Sequence, residues 1–269
     1  MILLNGQWQG GADLETFYGS RQLGTYLSSR HSIECMPIDL DASLEIEQGI
    51  YGGSILLRQI CRTLQFLNTR MPERLIAVGG GCDADVASIA YLNRRLDGDL
   101  TVLWMDAHGD LNAPGESASH LFYGMPLRAL AGDCPPISDS IARPLAPNQI
   151  VLMGSRDLDE GERRYLTCNH VSCIPVLDSI PEMIAHLDSA LEASGRTHVY
   201  LHLDLDVLDP KDFSATPLPV PHGYHSTHLL AALEHLKTRH LLVGAGLFEY
   251  VPQDALPEMI PQIFRLFGL

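Results

Sequence analysis

Eight short apolar runs punctuate the chain and alternate with longer amphipathic stretches: "ILLNG", "SIECMPI", "RLIAVGG", "LTVLWMDA", "QIVLMGS", "VSCIPV", "HVYLHLDLDV" and "LLVGAGLFEY". Near-continuous Val, Ile and Leu over five or six residues describes a strand buried on both faces, and such strands occur in parallel sheets covered by helices. The intervening segments, roughly 54–68, 83–95, 160–167, 181–193, 226–238 and 254–267, have helical periodicity. The predicted fold is therefore α/β, built from βαβ units around a mostly parallel sheet. At 269 residues, residues 1–269 read as one domain.

In an open α/β sheet, ligands bind beyond the carboxyl ends of the strands. Two of the apolar runs stop in acidic clusters. "LTVLWMDAHGDLN" closes on Asp106, His108 and Asp110, and "HVYLHLDLDVLDP" closes on Asp204, Asp206 and Asp209. Residues i and i+2 of an extended chain share a face, so Asp106 can point with His108, and Asp204 with Asp206. Asp110 joins them only if the chain turns back after Gly109. Carboxylates gathered this closely repel one another, and divalent cations would relieve that repulsion. Mixed oxygen and imidazole donors suit Mn2+, with Fe, Co, Ni or Zn as alternatives, and four carboxylates suit a pair of ions. Each cluster alone also reads as a strand-end cap or turn.

A third strand end carries "VGGGCDADVA", which sets Cys82 at the tip of a strand-loop-helix junction. A thiolate there is a metal ligand. The alternatives are a buried, inert cysteine or a redox-sensing thiol. The six cysteines form no CxxC pair and no disulfide framework. The opening "MILLNGQWQGG" lacks a basic segment, and no apolar run approaches the ~20 residues of a membrane span. The expected setting is a reducing cytoplasm. A net charge of −15 argues against nucleic acid and anionic membranes as partners. The histidines after Pro221 (His222, His225 and His228) read as loop and helix-cap residues, with a second metal site as the sharper alternative. In "GSRDLDEGE", Asp159 and Glu162 have the spacing of a capping box.

Taken together, "DAHGDLN", "HLDLDVLDP", "GSRDLDEGE" and the late "FEY" resemble the arginase superfamily, the ureohydrolases, over about residues 75 to 250. The resemblance implies a three-layer α/β/α fold with about eight strands. It also implies two Mn2+ ions that activate water for attack on a guanidinium or amidine carbon. By the same resemblance, Asp106 and Asp204 match bridging carboxylates, Asp110 a ligand of one metal, and His108 and Asp206 ligands of the other. Cys82 stands where the family places a ligand histidine, in Gly79-Gly80-Gly81-Cys82. Asp110 matches a group that also bonds the nucleophilic water. Glu249 matches the carboxylate that grips the guanidinium. Asn112, Ser119 and Asp159 match positions that hold an α-amino acid head, with Glu162 and Thr216 as nearby polar positions. Tyr123 replaces a histidine proposed to shuttle protons, and His120 is not aligned with it.

The cysteine makes the chain similar to a branch that hydrolyses Nω-hydroxy-L-arginine. The expected activity is hydrolysis of that compound or of L-arginine to ornithine plus hydroxyurea or urea. The alternatives are agmatinase or formimidoylglutamase activity, or a catalytically idle metal-binding homologue. The expected partner is a small guanidino amino acid, and family members are often homo-oligomers.

Overall fold

The computed structural model describes residues 1–40 and 44–269. Eight strands form one sheet in the order β2-β1-β5-β10-β9-β6-β7-β8, and every neighbouring pair is parallel. They are β1 (Ile2–Asn5), β2 (Glu34–Cys35), β5 (Leu75–Gly79), β6 (Leu100–Met105), β7 (Ile150–Met153), β8 (Ser172–Ile174), β9 (His198–Asp204) and β10 (Leu241–Phe248). Each corresponds to one of the apolar runs. A separate two-stranded hairpin, β3 (Ile46–Glu47) with β4 (Ile50–Tyr51), precedes the helix that begins at Gly53. Its strands are too short to show periodicity in the sequence.

Helices cover both faces of the sheet. α2 (Gly53–Arg70), α3 (Val86–Arg95), α4 (Pro126–Leu130) and α5 (Glu160–Asn169) contribute to one core, with Leu3, Leu75, Ala77, Val102 and Trp104 from the strands. α1 (Leu14–Ser28), α6 (Ile180–Ser194), α7 (Ser226–Arg239) and α8 (Met259–Leu266) contribute to the other, with Ile2, Leu4, Ile76, Val78, Leu103 and Met105. Alternate residues of β1, β5 and β6 thus feed opposite layers, as the two-residue period of a strand requires. This is the expected three-layer α/β/α fold. Among the described residues, no helix is long and apolar enough to cross a membrane.

Helix boundaries differ from the sequence reading in several places. The segment expected as helix 83–95 begins with a 3-10 turn at Cys82–Asp85 before α3, and the last helix is shorter than 254–267. Helices α1 and α4 were not expected. α4 is only five residues long. In α1, Gly19 and Gly24 lower helix propensity, yet both are needed for packing. A Cβ on Gly19 would lie 1.7 Å from the Tyr250 carbonyl oxygen, and one on Gly24 would lie 2.6 Å from Leu4 Cδ2. The helix exists because its backbone can approach its neighbours closely. Gly19→Ala should therefore destabilise the protein by about 1–3 kcal/mol despite alanine's higher helix propensity. Chemical denaturation would measure this, and a gain in stability would refute the close-approach account.

Candidate active site

The four central strands, β5, β10, β9 and β6, end side by side, and each delivers chemistry just at or past its last residue. Gly79 ends β5 and Cys82 opens the turn beyond it, Phe248 ends β10 and Glu249 follows, Asp204 ends β9, and Asp106 follows β6. The acidic clusters lie further out than extended strands would put them. Asp206 sits in a 3-10 turn, Leu205–Val207, and not on the strand, so turn geometry rather than strand alternation places it beside Asp204. The Asp204 carboxylate accepts the Asp206 N–H at 2.7 Å, and Asp106 accepts the His108 N–H at 2.6 Å. Both turns are thereby folded around their own aspartates. Asp110 does turn back, with a left-handed backbone at φ 52°.

Donor atoms converge in two adjoining groups. His108 Nδ1 lies 2.9 Å from Asp206 Oδ2 and 3.4 Å from Asp106 Oδ1. Cys82 Sγ lies 3.1 Å from Asp204 Oδ2 and 3.8 Å from Asp106 Oδ2, and the Cys82 N–H donates to Glu249 Oε1 at 3.0 Å. Donor atoms of Asp106, His108 and Asp206 lie within 4.8 Å of one another, as do those of Cys82, Asp204 and Glu249. Asp110 stands beside His108 on the wall of the same cavities. Its Oδ2 is buried and has no hydrogen-bond partner.

Electrostatics show what this arrangement costs the bare protein. Burial, then the Asp106 charge, pushes the Asp110 carboxyl well above the usual range. Burial and the Asp206 and Asp106 charges do the same to Asp204. Asp206 is raised to about 6 by burial and then by Asp106. Burial is also the largest influence raising Glu249 and the Cys82 thiol. Burial opposes charge on His108, but hydrogen bonds to Asp106 and Asp206 outweigh it and raise its pKa. Crowded buried carboxylates, an orphaned Asp110 oxygen, an imidazole and a thiol form a donor set suited to a pair of divalent cations, which would favour the charged forms.

Two adjoining cavities, which share wall residues, lie over these groups. The inner one, about 210 Å³, is lined by Cys82, Asp204, Asp206, Thr216 and Glu249 among others. The outer one, about 490 Å³, is lined by Asn112, Ser119, Asp159 and Glu162 among others. His108, Asp110 and Tyr123 border both. Asn112 Nδ2 donates to Asp159 Oδ2 at 2.8 Å. Glu162 is differently engaged, because its Oε2 accepts the Asp159 N–H at 2.8 Å and its Oε1 the Leu111 N–H at 3.1 Å. Glu162 thus reaches back as a capping box expects, while the Asp159 carboxylate turns toward Asn112. Thr216 Oγ1 is buried without a partner. His120 faces away from the inner group, with Nδ1 3.1 Å from the Gly49 carbonyl. His225 is the N-cap residue of α7, His228 Nε2 lies 2.9 Å from the Asp178 carbonyl, and His222 donates its N–H to Asp209.

Three features escaped the sequence reading. Arg156, within "GSRDLDEGE", donates to the carbonyls of Asp206, Leu208, Val220 and Pro221, tying the turn after β9 to the cavity wall. Asp83 is fully buried, accepts from Gln7, and is pushed up to about 7 by desolvation. Its carboxylate occupies the space that a side chain at Gly81 or Gly10 would need. His202 touches Cys82 from below, with Nε2 3.3 Å from Sγ. The i, i+2 rule that paired Asp204 with Asp206 also puts His202 on the Asp204 face, so that signal was present.

Fold and site together place the chain among three-layer α/β/α proteins whose chemistry sits at the carboxyl edge of a parallel sheet. It belongs to the arginase family, whose family model matches residues 18–258. It is 35% identical over 192 residues to an arginase of Staphylococcus aureus, a match covering 69% of this chain but only 62% of that relative's length. It is 31% identical to an N(omega)-hydroxy-L-arginine amidinohydrolase of Streptomyces lavendulae, over 75% of this chain and 72% of that one. The arginase of Entamoeba histolytica, solved in complex with L-ornithine, has the same fold with a TM-score of 0.87 at 20% identity, covering 100% of this chain and 97% of that one.

Proposed function

We propose that this chain is a binuclear-metal amidinohydrolase that cleaves the guanidino C–N bond of an arginine-like amino acid. The products are ornithine and either urea, from L-arginine, or hydroxyurea, from Nω-hydroxy-L-arginine. The observation that carries this reading is the pair of adjoining cavities with shared walls. The inner one presents carboxylates, a thiol and Glu249 to a cationic group. The outer one presents Asn112, Ser119 and Asp159 to a zwitterionic head.

Asp106, His108, Asp110, Asp204, Asp206 and Cys82 would hold two divalent ions, Mn2+ by family precedent. When bound, such ions lower the pKa of water toward neutrality and stabilise charge developing at the attacked carbon. The protein supplies the rest. Glu249 offers the guanidinium charge-assisted bonds through the oxygen not engaged by the Cys82 N–H. Asp110 offers its free Oδ2 as an acceptor for the attacking water's proton. Tyr123, between the two cavities, separates the reacting end from the head-group end.

Cys82 favours the hydroxylated substrate. A thiolate adds negative charge where an imidazole would be neutral, which makes the neighbouring cation a weaker acid catalyst. An N-hydroxyguanidine is less basic than a guanidine and suits such a centre. The decisive experiment assays the Mn2+-loaded protein with Nω-hydroxy-L-arginine, L-arginine, agmatine and N-formimino-L-glutamate, reading ornithine, urea, hydroxyurea and formamide. The expected order places the two amino acids with guanidino groups first. Turnover of none of the four would favour an idle homologue. Cys82→His should shift the ratio of arginine to hydroxyarginine turnover upward, and an unchanged ratio would remove the argument from the thiol.

A further inference from the structure

His202 lies in the layer directly beneath the converging carboxylates and is fully buried. Its ring is stacked between Trp104, at 3.4 Å between centroids and 5° between planes, and Phe248, at 4.8 Å and 8°. Two strand glycines make room for this stack. A Cβ on Gly246 would lie 2.2 Å from the Phe248 ring and 2.9 Å from Asp85 Oδ2, and one on Gly79 would lie 2.2 Å from the Phe248 ring.

Polar contacts run along the edge of the ring. Asp85 Oδ2 lies 2.9 Å from Nδ1, and Asp85 Oδ1 accepts the Tyr200 hydroxyl at 2.5 Å. Asp85 and Tyr200 are fully buried. Burying an aspartate, an imidazole and a phenol in a core costs more than an apolar trio of the same volume would. The chain of contacts leads to one place. With Nδ1 held by Asp85, Nε2 is aimed at Cys82 Sγ, 3.3 Å away. Whether Nε2 accepts the thiol proton or donates to a thiolate, the direction of the contact is the same.

Cys82 needs such a partner. An imidazole ligand is a rigid ring, whereas a cysteine sulfur can swing about a single bond. Backbone anchoring by Glu249 fixes the residue but not Sγ. We infer that His202, oriented by Asp85 and Tyr200, is a positioning residue that holds Cys82 Sγ against Asp204 and Asp106, so that a divalent cation meets a preset thiolate. The inference rests on reading the pocket as a metal centre. It assigns the Tyr200–Asp85–His202 chain the role that outer-shell partners commonly have toward a ligand.

The test uses the full-length protein loaded with Co2+, whose bond to a thiolate gives a near-ultraviolet charge-transfer band. Cys82→Ser should abolish the band, which establishes what it reports. His202→Phe keeps the aromatic stack and removes the nitrogen facing sulfur. It should weaken or shift the band and lower Co2+ affinity about 10–100-fold, the usual cost of losing an outer-shell partner. His202→Gln, which returns an amide near Nε2, should recover part of both. A folded His202→Phe protein with the wild-type band and affinity would overturn the inference and leave His202 as core filling. If that variant does not fold, Asp85→Ala, which retains the ring and its stack but removes the group that bonds Nδ1, must show the same loss, and wild-type behaviour there overturns the inference equally. Absence of the band from the wild type would also overturn it. Hydroxyurea and urea release by the Mn2+-loaded wild type, measured in parallel, separates the two readings. Turnover without the band defeats the role of His202 alone, and the band without turnover defeats the proposed activity alone.

Discussion

Asp204→Asn should nearly abolish hydrolysis and, at the same time, make the metal-free protein more stable. Asparagine keeps the shape of Asp204 and can still accept the Asp206 N–H, so the turn after β9 survives. What disappears is the ionisable carboxyl, and with it the capacity for a negative charge, beside Cys82, Asp106 and Asp206. Without that carboxylate the divalent cations the pocket is proposed to hold would lose one of their ligands, and turnover should fall on the order of 10³-fold or more, the scale of removing a preorganised electrostatic contact together with metal activation of water.

The stability effect has the opposite sign because the folded protein raises the Asp204 carboxyl pKa, by burial first and by its acidic neighbours second. A raised carboxyl pKa means that the native state binds more protons than the unfolded one, so the group's contribution is present below its unfolded pKa of about 3.9 and is lost as pH rises through the folded value. The metal-free wild type is therefore penalised at neutral pH in a way that Asp204→Asn is not. Melting temperatures of the two chelated proteins should diverge progressively as pH rises above about 4, with the variant the more stable. Adding Mn2+ should reverse the order, because a ligand that binds only the native wild type stabilises it by mass action. A variant that melts lower than the wild type in chelator at every pH would show that Asp204 is a structural carboxylate.

Agmatine should be turned over at least on the order of 10³-fold less efficiently than the better of the two guanidino amino acids, because a site built to bond a group leaves buried polar atoms unpaired when that group is missing. Agmatine lacks the α-carboxylate. In the outer cavity, Asn112 Oδ1 is buried without a partner and the Asp159 carboxylate is held toward the cavity by Asn112 Nδ2. Those acceptors suit the α-ammonium, which agmatine keeps; the donors of the same cavity, the Asn112 amide and the Ser119 hydroxyl, gain a charged acceptor from the α-carboxylate of an amino acid and none from agmatine. Asp159→Ala should raise KM for the amino acid about 10–100-fold, the range expected for a charge-assisted bond, and should change kcat much less, since the head group is bound alike in ground and transition states. Glu162→Gln is a useful contrast. Its carboxylate oxygens already serve the Asp159 and Leu111 N–H groups, so its loss should act on the start of α5 and hence on thermal stability. Equal efficiency with agmatine would move the chain to the agmatine-hydrolysing side of its family.

The strands, the three layers and the acidic strand ends were legible in the sequence because they depend on local rules. A run such as "LTVLWM" is apolar at every position because β6 is buried on both faces, and the side-chain period of two assigns Trp104 to one core and Met105 to the other without knowledge of its neighbours. The helix α1 was hidden for the opposite reason. Gly19 and Gly24 weaken the local signal, and what requires them lies outside the helix, Leu4 in the preceding strand and the Tyr250 carbonyl near the other end of the chain.

The site divides along the same line. Asp106, His108, Asp204 and Asp206 could be picked out as candidates from their spacing, since each pair is folded by bonds within its own turn. That Cys82 meets Asp204 across 122 residues, and Glu249 across 167, follows only from the order in which β5, β10, β9 and β6 pair. No local propensity encodes that order. It is decided by which strand arrangement lets two helical layers close over one sheet, and by glycines at 79 and 246 that admit the Phe248 ring beside His202. Sequence determined which residues could do chemistry at a strand end. Tertiary structure decided which of those ends are neighbours, because strand pairing is a long-range packing choice and the side-chain pattern of a single strand does not depend on which strand lies beside it.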